Sequence, residues 1–356
     1  HNIKKQKIEK GINLIEGDLE SISSLGNAIS ISSPDIIFHL GAQSFIPRSF
    51  SDPLETMSSN CCGTANLLEA IRLKDADPVV VFAGSSEEYG LVISSAKQYE
   101  KAKSRYGEVF PEPRKIPEIP ISEDNPLRPM SPYAVSKVYG DYLMRNYCHS
   151  YGIKTVVSRA FNHEGAGRGA MFVTSAITSQ VMKLRFKEID SLSIGNVNAF
   201  RDWSHVSDII DGYITLAEKG KYGQVYNQGS ERTNSVISFL LLSLESAGYE
   251  IKGIETPSGD KAVDEPLVME DSMIFGTNLE RTRIDDMMLR DELEFVLEDQ
   301  GIIVQTNKGE IKVNFDANRF RPAEVPILLS DVGKIKAIGY RVKSNLRDII
   351  SHQLNY

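Results

Sequence analysis

Tyr133 and Lys137 stand four residues apart in SPYAVSKVYG, a spacing that puts both on one face of a helix. An ammonium held beside a phenol favours the phenolate and lowers the tyrosine pKa. A tyrosine lowered in this way can serve as a general base near neutral pH. A second cluster lies upstream. GSSEEYG (84–90) follows directly on the apolar run PVVVFA, so two hydroxyls, two carboxylates and a phenol sit where a buried strand ends. Strand ends are where parallel sheets carry their active sites. Each signal also has a plain structural reading: a solvated helix face for the Tyr-Lys pair, a cap on the next turn for Ser85, a polar turn for Glu87.

The elements that would position these groups alternate along the chain. INLIEGDL (12–19), DIIFHLGAQS (35–44), PVVVFAGSS (78–86) and IKTVVSRAFN (153–162) read as strands. LGNAIS, TANLLEAIRL (64–73) and SPYAVSKVYGDYLMRNYCHSYG (131–152) read as helices, the last with Ser131-Pro132 as its start and Gly152 as its stop. Val- and Ile-rich strands alternating with helices predict an α/β fold, a doubly wound parallel sheet covered on both faces. Further on, 169–184, 206–220, 236–248 and SNLRDIISHQLNY read as helices. SLSIGN (191–196) reads as a strand, QVYNQGS (224–230) as a strand returning to the main sheet, and 301–315 as a hairpin around Asn307-Lys308-Gly309. The charged stretches 93–120 and 255–300 read as inserts, the first a surface loop or lid over the substrate.

With 356 residues, 41% hydrophobic and 25% charged, the composition is globular and ample for a core. A net charge of -8 argues against a nucleic-acid surface, which needs a basic face. No apolar run approaches the roughly 20 residues that span a bilayer. Cys61, Cys62 and Cys148 make neither a disulfide framework nor a metal spacing, and a reduced cytoplasmic setting is expected. A dinucleotide fold opens on a glycine-rich turn at a helix N-terminus. No such turn precedes INLIEGDL. The expectation is a Rossmann-like sheet lacking its first βαβ part, truncated at the N-terminus, with weakened cofactor affinity and with no residue that reads NAD against NADP.

The ordered series GDL, HLGAQS, GTANLLEA, GSSEEYG, SPYAVSK, RAFNHEG, RDWSHVSD and RFRPAEV resembles the extended short-chain dehydrogenase/reductase family, and within it the nucleotide-sugar 4,6-dehydratases. NHEGAGRGAMFVTSAI is most similar to the GDP-mannose 4,6-dehydratases, although Ser175-Ala176 replace the basic pair after FVT and Met171 replaces an asparagine. The resemblance implies a dinucleotide-binding domain of 1–162 plus about 200–230. It implies a smaller α/β nucleotide-sugar domain of 163–199 plus 231–356.

The resemblance also implies roles. Ser85, Glu87, Tyr133 and Lys137 would be catalytic: Ser85 bonds the sugar O4, Tyr133 takes the 4-hydroxyl proton, Lys137 bonds the nicotinamide ribose and Glu87 takes the C5 proton, leaving Glu88 a bystander. NADP or NAD would lie along Asp18, Leu19, Leu40, Gly41, Ala42 and Phe161. Asp18 would accept from the adenine, Leu19 pack on its ring, and Gly41-Ala42 let the backbone approach. Ser86, Asn162, Glu164 and Val173 would meet substrate, Arg201 and Arg321 its diphosphate, and Glu324 a hydroxyl or the base. Asp202 and Trp203 would shape the turn and core. The substrate would be a GDP-hexose. A homodimer or homotetramer would pair through the helix carrying Tyr139, Tyr142, Leu143 and Tyr147. A GDP-4-keto-6-deoxymannose reductase or a nucleotide-sugar epimerase would share Tyr133 and Lys137 without needing Glu87. A non-catalytic dinucleotide or sugar-nucleotide sensor would need none of the four.

Overall fold

The structure is a computed structural model that describes residues 8–320 and 324–356. Four parallel strands, β1 (Ile36–His39), β2 (Val79–Ala83), β3 (Thr155–Ala160) and β4 (Val225–Gln228), form one sheet in the order β1-β2-β3-β4. The register runs Phe38 to Val81, Val81 to Val156 and Ser158 to Tyr226.

Side-chain alternation divides the sheet into two faces. Val80 and Phe82 point to a core shared with α1 (Ile22–Ser32), α2 (Gly63–Leu73) and α4 (Pro132–Tyr151), through Leu25, Leu68, Ile71 and Met144. Val81 and Val156 point the other way, to Ile209 and Leu216 of α6 (Val206–Lys219) and to Ile335 and Tyr340. Helices on both faces of a parallel sheet make the doubly wound α/β architecture that the strand–helix alternation predicts. Each fully buried aliphatic or aromatic side chain contributes about 1.5–3 kcal/mol.

The predicted strand at 12–19 is not formed. Among the described residues the segment pairs with no strand, and Leu14 is 72% exposed. A strand exists only by its neighbour's hydrogen bonds, and β1, the edge of the sheet, pairs with β2 alone. Among the described residues no glycine-rich strand-turn-helix precedes β1.

A second sheet of five strands runs in the order 262–264, 251–255, 301–306, 309–315, 191–194. Its hairpin turns at Asn307-Lys308, and Gly309 takes a φ of 107° that favours glycine. The sheet packs on α5 (Val173–Arg185), α7 (Val236–Ser246) and α8 (Leu346–Leu354). Both charged stretches hold more structure than expected. The first contains α3 (Ala96–Tyr106) over a small core of Leu91, Ile93, Ala102 and Val109. The second contains the hairpin Met269–Ile274 with Thr277–Thr282 and the helix Arg283–Leu289. The two meet through Lys97–Asp291 at 3.6 Å and Lys101–Glu294 at 2.9 Å.

Candidate active site

Helix α4 starts and stops where its caps dictate. The Ser131 hydroxyl accepts from the Ala134 N–H at 3.1 Å, Pro132 opens the first turn, and Gly152 closes the last in the left-handed region at φ 73°. The helix lies tight on the sheet: a Cβ on Gly140 would come within 2.4 Å of the Phe82 ring. That approach brings Tyr133 and Lys137 over the end of β2.

There the chain leaves β2 through Gly84 into a single helical turn, Ser86–Glu88. Ser85 caps this turn, its Oγ accepting from the Glu87 N–H at 3.2 Å, while Glu88 Oε1 accepts from the Ser85 N–H at 2.8 Å. The structural reading of Ser85 as a cap is thus met. The same side chain also faces a cavity of about 1170 Å³, together with Ser86, Glu87, Tyr133 and Lys137. The phenol of Tyr133 lines the same cavity as the Ser85 hydroxyl.

The expected acidification of Tyr133 is absent. Burial raises the phenol above its ordinary value, the neighbouring Ser85 hydroxyl opposes this, and the carboxylate of Glu87 adds to it. Lys137 does not counter the rise. Its Nζ donates to the Ala83 carbonyl at 2.8 Å and lies 5.1 Å from the Phe82 ring centre, against 5.8 Å from that of Tyr133. Burial lowers Lys137 itself to about 8, with Glu88 opposing.

The cavity is also lined by Leu40, Ala42, Phe161, Asn162, Glu164, Val173, Arg201 and Glu324. Asn162 Oδ1 is buried with no partner in the protein, an acceptor left for a ligand. Arg201 and Glu324, expected on separate parts of the substrate, are bound to each other at 2.5 Å, and Arg201 also donates to the Val325 carbonyl at 2.7 Å. Glu164 is held by Arg168 at 2.8 Å and by Thr174 at 2.6 Å. Asp202 accepts from the Ser230 and Ser330 backbones at 2.7 and 3.0 Å, and Trp203 packs on Phe239, so these two shape the turn and core as expected.

Asp18 and Leu19, expected at the adenine end of the cofactor, do not line this cavity. Asp18 is exposed away from the cavity, accepting from the Glu20 N–H at 2.9 Å. Leu19 packs on Gly41, where a Cβ would meet its Cδ1 at 2.9 Å. Arg321 lies outside the described residues. No residue of 93–120 lines the main cavity; α3 instead borders an adjoining cleft with Asn196, Met288 and Glu324. Among the lining residues to which sequence reasoning gave no role are Arg168, Arg319, His163 and Phe45. Arg168 and His163 lay in the quoted motif NHEGAGRG and Arg319 opens RFRPAEV; Phe45 lay in none.

A parallel doubly wound sheet with a Ser-Tyr-Lys array at one strand end defines a class of dinucleotide-dependent proteins. Residues 1–229 match the model of the NAD dependent epimerase/dehydratase family, and the chain belongs to that family. It is 31% identical over 323 residues to a GDP-mannose 4,6-dehydratase of Yersinia enterocolitica, covering 90% of this chain and 72% of that one. It is 28% identical over 226 residues to a GDP-6-deoxy-D-mannose reductase of Pseudomonas aeruginosa, covering 63% of this chain and 67% of that one. Its fold matches the solved structure of RMD from Pseudomonas aeruginosa complexed with NADPH, with a TM-score of 0.69 and 20% identity over 98% of this chain and 92% of that one.

Proposed function

We propose that the chain is a nucleotide-sugar 4,6-dehydratase acting on a GDP-hexose, with GDP-mannose as the first candidate. The observation that carries this reading is Glu87, which lines the same cavity as Ser85, Tyr133 and Lys137. A base that works beside an oxidised C4 needs a carboxylate in this position, and a reductase does not.

The residues fit the nicotinamide end of a bound NAD or NADP. Leu40, Ala42, Gly84 and Phe161 line the strand-end side of the cavity, with Lys137 beside them. The described residues hold no glycine-rich turn for the pyrophosphate. Bound, the cofactor supplies the hydride acceptor at C4 and the donor at C6. The chain does the rest. Tyr133, once its phenol has lost its proton, takes the 4-hydroxyl proton while Ser85 holds O4. The resulting C4 ketone makes the C5 hydrogen acidic, and Glu87 removes it. The C6–O bond breaks, the departing oxygen takes that proton and leaves as water, and C5 regains a proton of solvent origin. Arg201, once released from Glu324, clamps the diphosphate with its planar fork.

In this reading residues 1–162 with about 200–230 form the dinucleotide-binding part and 163–199 with 231–356 the sugar-nucleotide part. The exposed Tyr139 and Tyr142 of α4 suit a homodimer or homotetramer paired through that helix. Three unbridged cysteines suit a reduced cytoplasmic setting. None of the described helices is long and apolar enough to cross a membrane.

The test is the product mass after incubation with NAD or NADP and a panel of nucleotide hexoses. Loss of one water without net cofactor reduction supports the dehydratase and names the sugar. The likeness to the GDP-6-deoxy-D-mannose reductase favours one rival. NADPH consumption on a 4-keto-6-deoxy sugar nucleotide, with no water loss from any hexose, would move the assignment to a reductase.

A further inference from the structure

Behind the cavity wall, three charged side chains from three separate elements meet out of water. Glu88 and Asp141 are fully buried and Arg159 is 3% exposed. None of them lines the cavity. Glu88 belongs to the turn after β2, Asp141 to α4 one turn beyond Lys137, and Arg159 to β3. Arg159 Nε lies 3.2 Å from Glu88 Oε2 and donates to Asp141 Oδ2 at 2.8 Å, with Nη2 reaching the same oxygen at 2.7 Å. The other oxygen of Glu88 accepts from the Ser85 N–H at 2.8 Å. Glu88 is therefore no bystander.

We propose that Glu88 is a positioning residue that holds Ser85 and Glu87 in place and, through Arg159, locks their turn to the helix that carries Tyr133 and Lys137. Its catalytic consequence rests on the dehydratase reading; its structural part does not. Buried charges are costly and seldom the cheapest way to stabilise a fold, so a buried cluster that spans both halves of the array calls for a role. The backbone makes room for it: a Cβ on Gly84 would come within 2.6 Å of Glu88 Oε1 and 2.8 Å of the Ser158 carbonyl. An apolar residue at 88 would leave the Ser85 N–H without its acceptor, and an unmade buried hydrogen bond is expensive.

The cluster is also balanced. Facing Glu88 are Asp141, Lys137 and Tyr133 from α4, Arg159 from β3, and Tyr89 next along the turn; Arg145 lies beyond, bound to Asp141, and Glu123 beyond Tyr89. Burial, with the neighbouring Asp141, raises Glu88 to about 8. Glutamine keeps the shape and an acceptor for the Ser85 N–H; leucine reproduces only the bulk.

The test compares E88Q and E88L by two readouts: hydrogen exchange of the Ser85 amide, and kcat and KM for water loss. In E88Q the amide should stay protected and kcat remain within about threefold of wild type. In E88L the amide should exchange about tenfold faster or more and kcat fall about tenfold, with KM almost unmoved. Should E88L fail to fold, E88D replaces it; its carboxylate, one methylene shorter, should give the same losses. Wild-type protection of Ser85 in E88L or E88D overturns the proposal. So does unchanged kcat with the amide released, or an E88Q as damaged as E88L. If the wild-type chain removes water from no nucleotide hexose, the dehydratase reading fails, and the exchange of Ser85 still decides the clamp.

Discussion

The Lys137 ammonium donates to the carbonyl of Ala83 at 2.8 Å. Ala83 is the last residue of β2. The helix that carries the phenol is thereby tied to the strand that carries the acid turn, two residues before Ser85. A buried ammonium is costly, and burial lowers this one from 10.5 to about 8. Between pH 8 and 10.5 the unfolded chain holds a proton that the folded chain has released, so this lysine makes stability rise with pH across that window. In K137M the urea midpoint should lose that rise, and water loss should fall by about 10²-fold or more. Parallel midpoint curves for the two proteins would show that the lysine is not buried as described.

Glu87 carries the assignment, and isotope labelling isolates its step. In deuterated water the product should carry one deuterium at C5. E87Q should lose this label together with about 10²–10⁴-fold of the water-loss rate, while its melting temperature stays near that of wild type. Retained labelling at C5 in E87Q would assign the proton to another group.

His39 closes β1 with its Nε2 3.0 Å from Thr64 Oγ1, whose own proton goes to the Asn60 carbonyl at 2.6 Å. The hydroxyl must therefore accept, and His39 is neutral with its proton on Nε2. Burial, with Lys137 adding, lowers His39 from 6.5 to about 4. Below pH 6.5 the unfolded histidine takes up a proton that the folded one refuses, so stability falls as pH drops toward 4, by up to about 3 kcal/mol. H39Q keeps a donor for Thr64 and has nothing to titrate. Its urea midpoint should change less than that of wild type between pH 7 and pH 4.5.

The first insert is pinned rather than loose. Arg128 grips Glu118 with two hydrogen bonds of 2.7 and 2.8 Å, both side chains nearly fully buried, and Glu118 also accepts from the Ile93 N–H at 2.8 Å. Removing one partner of such a pair leaves a buried charge alone. E118A should lose about 3–5 kcal/mol by chemical denaturation. Proteolysis should then open 93–120 first. A loss below about 1 kcal/mol would mean that the pair is solvated.

Much of the site was legible in sequence because its signals are local. Tyr133 and Lys137 share a face by the helical repeat alone, Ser131 and Gly152 mark the helix ends, and GSSEEYG follows an apolar run long enough for one buried strand. These depend on nearest neighbours along the chain, and the structure keeps all of them. The inserts were less legible. The charged surface of the first hides a short apolar set, Leu91, Ile93, Ala102 and Val109, whose members come from separate segments.

What only the tertiary structure decided involves partners distant in the chain. Glu88 and Arg159 are 71 positions apart in the sequence, and Arg201 and Glu324 are 123 apart. Spacing says nothing about such pairs, because the charge that a side chain meets is set by which strands and helices pack together. The same reason explains two of the expectations that failed. INLIEGDL has the composition of a strand, but a strand is made by hydrogen bonds to a neighbour, and this segment has none among the described residues. Tyr133 and Lys137 are placed on one helix face by their spacing. Burial and the Ala83 carbonyl, which are properties of the packed sheet, set the protonation of both.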